Sequence, residues 1–275
     1  MAVPIVMAAF GTTRRALQTY DHMDLLFKRH FAGHAIHWAF TSRMVAARLK
    51  HAHGPSRPHP HEVLQTLADA GHRWAVVQSL HLTCGHEFYR LVAEVQHPSI
   101  RVSIGLPLLC AEADYHALVE SLAPMVGAAR DEAIILVGHG TDHPAWSAYT
   151  ALHFMLQQRY GAKVFVGSVE DGCPDRDAIV AAVIAGGFAR VRLVPFMLVA
   201  GAHFEEDLAG EEDSWKSAFA AAGVPAILES QGLGYHPQII ALFSRHMAAA
   251  LDVIPDVDPV AAVASARAVP GTFCF

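Results

Sequence analysis

The pair Gly11-Thr12 returns 129 residues later as Gly140-Thr141, and much of the chain around it returns too. Each pair closes a short apolar run, residues 3–10 in one case and 133–138 in the other. Phe40 and Val169, which end the next apolar runs, keep the same offset of 129. Further on the offset is 116: Pro58 with Pro174, Gly71 with Gly187, Gly85 with Gly201, Phe88 with Phe204. Self-similarity on this scale predicts two similar halves rather than one long doubly wound sheet. The change of offset from 129 to 116 gives the first half 13 extra residues after its second strand.

Within each half, strand-length apolar runs alternate with helical patterns. Strands are expected at 3–10, 34–40, 74–80 and 100–104, then at 133–138, 163–169, 190–198 and 225–229. Helices are expected up to about 30, with Leu17, Tyr20, Leu25 and Phe27 facing inward, then at 44–50, 62–70 (capped by Gly71), 87–95 and 111–121. In the second half they fall at 144–160, 175–185, within 203–222, and at 237–251. This alternation implies parallel sheets with right-handed crossovers. The expected fold class is α/β, two similar parallel-sheet halves with a cleft between them. The halves are 1–127 and 128–236, helix 237–251 is free to cross back and complete the first half, and the Pro-bearing tail 252–275 reads as an extended arm.

A formal charge of −6 argues against a nucleic-acid partner. No uncharged apolar run approaches the roughly 18–20 residues of a membrane span, and the N-terminus has no basic leader. Cys84, Cys110, Cys173 and Cys274 are scattered with no CxxC spacing, which reads as reduced thiols of a cytoplasmic protein. Assembly as a homo-oligomer is left open.

Ligands of open α/β sheets sit at the carboxyl ends of strands. His139 stands there, between Gly138 and Gly140. The repeat adds partners: Glu170 follows the second strand of the same half, and His203 follows the third. Glu87 is the counterpart of His203 in the first half, and Phe10 that of His139. Two imidazoles and a carboxylate suit a divalent first-row metal. Taken singly, each residue has an ordinary structural reading, as a helix-start acid or a loop histidine. Their equivalent placement favours the functional one. The stretch carrying His51, His53, His59 and His61 is Pro-rich, fits no fixed metal spacing and reads as a solvated insertion.

The segments Gly-His-Gly at 138–140, Val-Glu-x-x-x-Pro at 169–174 and Pro-Phe-Met-Leu-Val-Ala-Gly-Ala-His-Phe-x-x-Asp at 195–207 resemble the anaerobic cobalt chelatases that act on sirohydrochlorin. Ala-Phe-Gly-Thr-Thr at 9–13 and Gln-Ser-Leu-His-Leu-Thr-Cys-Gly-His-Glu-Phe at 78–88 extend the likeness over nearly the whole chain. The resemblance implies a chelatase fold with the tetrapyrrole held between the halves. It makes His139, Glu170 and His203 the metal-handling set, His139 the proton acceptor, and Glu87 an acid facing the macrocycle. Phe10 becomes an apolar wall for the ring. Arg14 and Arg15 are candidates for its carboxylates, and His86, where the family leads one to expect an acidic or small residue, for a carboxylate or the metal. Co²⁺ would be a substrate, with Fe²⁺ or Ni²⁺ as alternatives and no organic cofactor required. A non-catalytic metal or tetrapyrrole carrier is the competing class. Some members of the family bind haem through a histidine; His81 raises that question here, and haem is not expected.

Overall fold

A computed structural model describes residues 2–12, 17–42, 58–127, 131–170 and 175–255. The first half runs β1 (Ile5–Ala9), α1 (Leu17–His30), β2 (Ile36–Phe40), α2 (Pro60–Asp69), β3 (Trp74–Ser79), α3 (His86–Glu94), β4 (Arg101–Gly105), α4 (Glu112–Ser121) and the short α5 (Ala123–Val126). The second runs β5 (Glu132–Gly138), a 3₁₀ turn at Pro144–Trp146, α6 (Ser147–Tyr160), β6 (Val164–Ser168), α7 (Arg176–Ala185) and β7 (Arg190–Pro195). It continues with a π-helical turn at Phe204–Leu208, α8 (Trp215–Ala221), β8 (Ala226–Leu228), a 3₁₀ turn at Leu233–Tyr235 and α9 (Pro237–Asp252). Arg14, Arg15, the expected helix at 44–50, His51, His53, Cys173 and the arm beyond 255 lie outside the described residues.

Each half builds a four-stranded parallel sheet, ordered β2-β1-β3-β4 in the first and β6-β5-β7-β8 in the second. The two orders are the same order, which is the repeat expressed as topology. The inner strands β1 and β5 are buried along their whole length, as expected of parallel strands covered on both faces. Ile5 pairs with Ile36 on one side and Val76 on the other, while Leu136 pairs with Val166 and Val194. All eight strands therefore end their carboxyl termini toward equivalent edges of their own sheets.

One core runs through both halves. Met7, Phe27 and Phe40 belong to the same apolar cluster as Leu136, Leu152 and Phe196, together with Phe243 of α9. Each such fully buried side chain contributes about 1.5–3 kcal/mol. Two smaller clusters stay within single halves, one around Leu64 and Leu91 and one around Trp215 and Phe219. Helix α9 lies against β3, β4, α4 and α1, so the last helix covers the first half. Asp114 fastens it. This buried carboxylate accepts from the Ala111 N–H at 2.8 Å and meets His246 Nε2 of α9 at 3.0 Å.

Two expectations need correction and one is sharpened. Leu25 is 51% exposed, because the inner face of α1 follows Tyr20, Met23 and Phe27 and places position 25 on the opposite side. The helices expected within 203–222 are two segments, Phe204–Leu208 and α8. A Cβ on Gly210 would sit 2.2 Å from the Glu206 carbonyl oxygen, a close approach only glycine tolerates, and the chain turns there before Ser214 caps α8. His59 and His61 are not free loop residues. The His59 N–H donates to Glu62 at the start of α2, and the His61 ring meets Glu94 of α3 at 2.8 Å. Among the described residues no helix is long and apolar enough to cross a membrane.

Candidate active site

His139 follows β5 on a turn that its glycines make possible. Gly140 has φ +90°, a conformation that costs a glycine little. Gly138 lies against Tyr149 of α6 so closely that a Cβ there would fall 2.3 Å from Cε1 of the ring. The Tyr149 hydroxyl shares a hydrogen bond with the Gly140 backbone, and burial pushes its pKa up, so it stays a neutral phenol. The tyrosine thus braces both glycines from below.

The His139 ring has its Nδ1 3.2 Å from the Gly140 carbonyl oxygen and 3.6 Å from a Glu170 oxygen. A carbonyl can only accept, so Nδ1 carries the proton and Nε2 keeps its lone pair. The Glu170 N–H donates to the His139 carbonyl at 2.9 Å, which continues the β5–β6 ladder and holds the acid beside the ring. His203 shows the same polarity. Its Nδ1 meets Asp207 Oδ2 at 2.7 Å, one turn on within the π-helical segment, which leaves Nε2 as the free nitrogen there too. The two rings stand edge to face, their centroids 4.6 Å apart. This is the usual arrangement of metal-binding imidazoles, each oriented by an oxygen on its other nitrogen. His139 lies beside each of the other two candidate ligands. Among the described residues no three His, Cys, Asp or Glu side chains are already gathered as a metal cage.

The facing edge comes from the first half. Glu87 lies in the first turn of α3, which starts at the N-cap Gly85, and its carboxylate is paired with Arg90. His86 reaches across the halves, with Nε2 2.9 Å from Asp142 Oδ1 and its ring 4.9 Å from that of His143. His143 accepts the Ala145 N–H at Nδ1, 3.1 Å away, so its Nε2 is a proton donor. Phe10, at the end of β1, is 46% exposed.

Two reciprocal contacts define the seam. A Cβ on Gly201 would lie 3.1 Å from Thr12 Oγ1, and one on Gly85 3.8 Å from Thr141 Oγ1. In each case the Gly-Thr after one half's first strand meets the glycine after the other half's third strand. Phe10 and His203 therefore flank one seam contact, and His139 and Glu87 flank the other. A groove of about 600 Å³ lined by Arg73, Trp74, His97 and Arg101 sits at the opposite, amino-terminal ends of β3 and β4 and has no part in this edge.

His81 follows β3 with Nδ1 2.9 Å from Ser79 Oγ, while its Nε2 is buried without a hydrogen-bond partner. Burial pushes its pKa down to about 4, so the ring is neutral at physiological pH. Tyr149 and His143 carry no sign of their roles in the sequence, and Asp207 appears there only as the last residue of a motif. The His-x-x-x-Asp spacing of 203 and 207 is the one local sign that was available.

The family described as cobalt chelatase (CbiK) matches residues 3–252. The chain is 39% identical over 221 residues to the sirohydrochlorin cobaltochelatase of Salmonella typhimurium, covering 78% of this chain and 83% of that one. It is 32% identical over 264 residues to the sirohydrochlorin cobaltochelatase CbiKC of Nitratidesulfovibrio vulgaris, covering 92% of each. Among solved structures it is similar in fold to SirB from Bacillus subtilis with Fe³⁺, with a TM-score of 0.64, 16% identity, and 91% and 96% of the two chains covered. SirB in complex with cobalt, from B. subtilis subspecies spizizenii, gives 0.60 over the same coverage, again at 16% identity. A repeat with one topology in both halves, and two adjacent imidazoles at the strand ends of the second, agree with that match: the chain belongs to the cobalt chelatase (CbiK) family.

Proposed function

We infer that the chain inserts Co²⁺ into sirohydrochlorin and releases two protons, as an enzyme of cobalamin biosynthesis in the cytoplasm. The observation that carries this is the pair of free Nε2 lone pairs on His139 and His203, 4.6 Å apart by ring centroid, at a seam walled by the other half. Insertion into a free-base macrocycle asks three things of a protein. It must hold the metal weakly enough to release it, take up the pyrrole N–H protons, and keep metal and ring in register.

In this reading His139 and His203 offer Nε2 to the incoming Co²⁺, and Glu170 supplies the third, anionic contact. A site assembled from pairwise neighbours, rather than a closed cage, favours transfer over storage. As the metal leaves for the ring, His139 Nε2 takes a proton, and Glu170 beside Nδ1 stabilises the imidazolium that results. Glu87 faces the macrocycle from the other half, where Arg90 pairs with its carboxylate. Phe10 provides an apolar contact for the ring. The substrate is a polycarboxylate and the chain carries −6, so local donors must offset the long-range repulsion. His86, His143 and Arg14 are the donors proposed.

A metal panel tests the reading. Anaerobic insertion is followed by absorbance with Co²⁺, Fe²⁺ and Ni²⁺, each against sirohydrochlorin and protoporphyrin. Fastest turnover is expected for Co²⁺ with sirohydrochlorin. Turnover only with protoporphyrin would move the assignment to another ring, and none with any pair would leave a carrier.

A further inference from the structure

Cys84 and Cys110 are 26 positions apart in the chain, yet their sulfurs lie 3.0 Å from one another. Both are free thiols and both are half-buried. The approach is built by the backbone. The Leu108 N–H donates to the His81 carbonyl at 3.0 Å and the Leu109 N–H to that of Leu82 at 2.9 Å. The Cys110 N–H is in turn held by Asp114 at 3.3 Å. The loop after β3 and the loop after β4 thus run side by side, with the thiols at the end of the ladder. No step of metal insertion uses either sulfur.

We propose that Cys84 and Cys110 form a reversible dithiol–disulfide couple, oxidised by small aliphatic disulfides, that resets the loop carrying His86 and Glu87. The Cys84 thiolate attacks one sulfur of the small disulfide, breaks its S–S bond and releases one thiolate, which takes up the proton Cys84 has lost. Cys110 then attacks the Cys84 sulfur of the mixed disulfide, gives up its own proton, and releases the second small thiol. Two protein thiols are oxidised and one small disulfide is reduced to two thiols. The order of attack has a cause: hydrogen bonding from Cys110 pulls the Cys84 pKa down to about 7, while the same contact pushes Cys110 up.

Closing the bond brings the sulfurs from 3.0 Å to about 2.05 Å, so the two loops must shift together. Cys84 is followed directly by Gly85, which packs on Thr141 of the other half, then by His86, bound to Asp142, and by Glu87. A shift at Cys84 is therefore delivered to the seam. The effect on metal insertion rests on the chelatase reading, whereas formation of the bond does not.

The full chain is incubated with oxidised glutathione, alkylated with iodoacetamide and mapped by peptide mass, with insertion measured before and after dithiothreitol. The expected result is a linked Cys84–Cys110 peptide, an insertion rate at least threefold lower, and full recovery on reduction. Cys84→Ser and Cys110→Ser should match the reduced wild-type rate and lose the response. Glutathione left on a single cysteine with no linked peptide would overturn the couple. A linked protein with an unchanged rate would overturn the resetting of the loop. If the reduced protein inserted no metal, the chelatase reading would fall, and the peptide map alone would still decide whether the bond forms.

Discussion

His139→Ala is expected to lower Co²⁺ insertion into sirohydrochlorin by at least about 100-fold, the lower bound for loss of a positioned proton-transfer group. Two roles are lost at once, a metal contact at Nε2 and a proton acceptor at the same atom. Stability should hardly change. The His139 side chain is 47% exposed, and its one hydrogen bond is a long contact to the neighbouring Gly140 carbonyl. Truncation at such a position usually shifts folding by less than about 0.5 kcal/mol. Thermal denaturation and a stopped-assay rate, measured on the same preparation, separate the two effects. A variant with wild-type turnover would show that the metal enters elsewhere.

Gly138→Ala is expected to act through shape. The new methyl would lie 2.3 Å from Tyr149 Cε1 and 3.1 Å from Cζ, at the fully buried end of β5. Relief requires the tyrosine to move, and such overpacking costs about 1–3 kcal/mol. The Tyr149 hydroxyl is also what holds the Gly140 backbone, so the His139 turn should move with it. A misplacement of about 1 Å can cost about 100-fold in rate. The melting temperature should fall, and insertion by the remaining folded protein should fall at least about tenfold. Guanidinium or thermal unfolding checks the first, and a rate normalised to folded protein checks the second. Wild-type values in both would mean that the ring has room the structure does not show.

Much of this architecture was readable along the chain. Residues 133–138 form a strand because an unbroken apolar β-branched run has no solvent face to offer, and the structure places β5 there with every residue buried. The repeat of Gly11-Thr12 in Gly140-Thr141 foretold two sheets of one topology. That His139, Glu170 and His203 stand together at one strand edge was legible because each follows a strand of the same half. Other features have no local trace. Asp114 and His246 are separated by 132 positions, and nothing near either announces the other. Tyr149 looks like a helix residue until Gly138 is seen beneath it. Leu25 misled because leucine in a helix suggests a core, while the helical angle turns it outward. The reciprocal Thr–Gly contacts needed both halves in place, although the repeat had already paired their four residues.

The proposed function divides the labour, with the metal held by the second half and the ring met by Glu87 from the first. Glu87→Gln separates these directly, because it keeps the size of the side chain and removes its charge. Co²⁺ affinity by isothermal titration should stay within about twofold of wild type, while the insertion rate into sirohydrochlorin falls at least tenfold. Loss of Co²⁺ binding in step with loss of insertion would contradict the division and place Glu87 among the metal ligands.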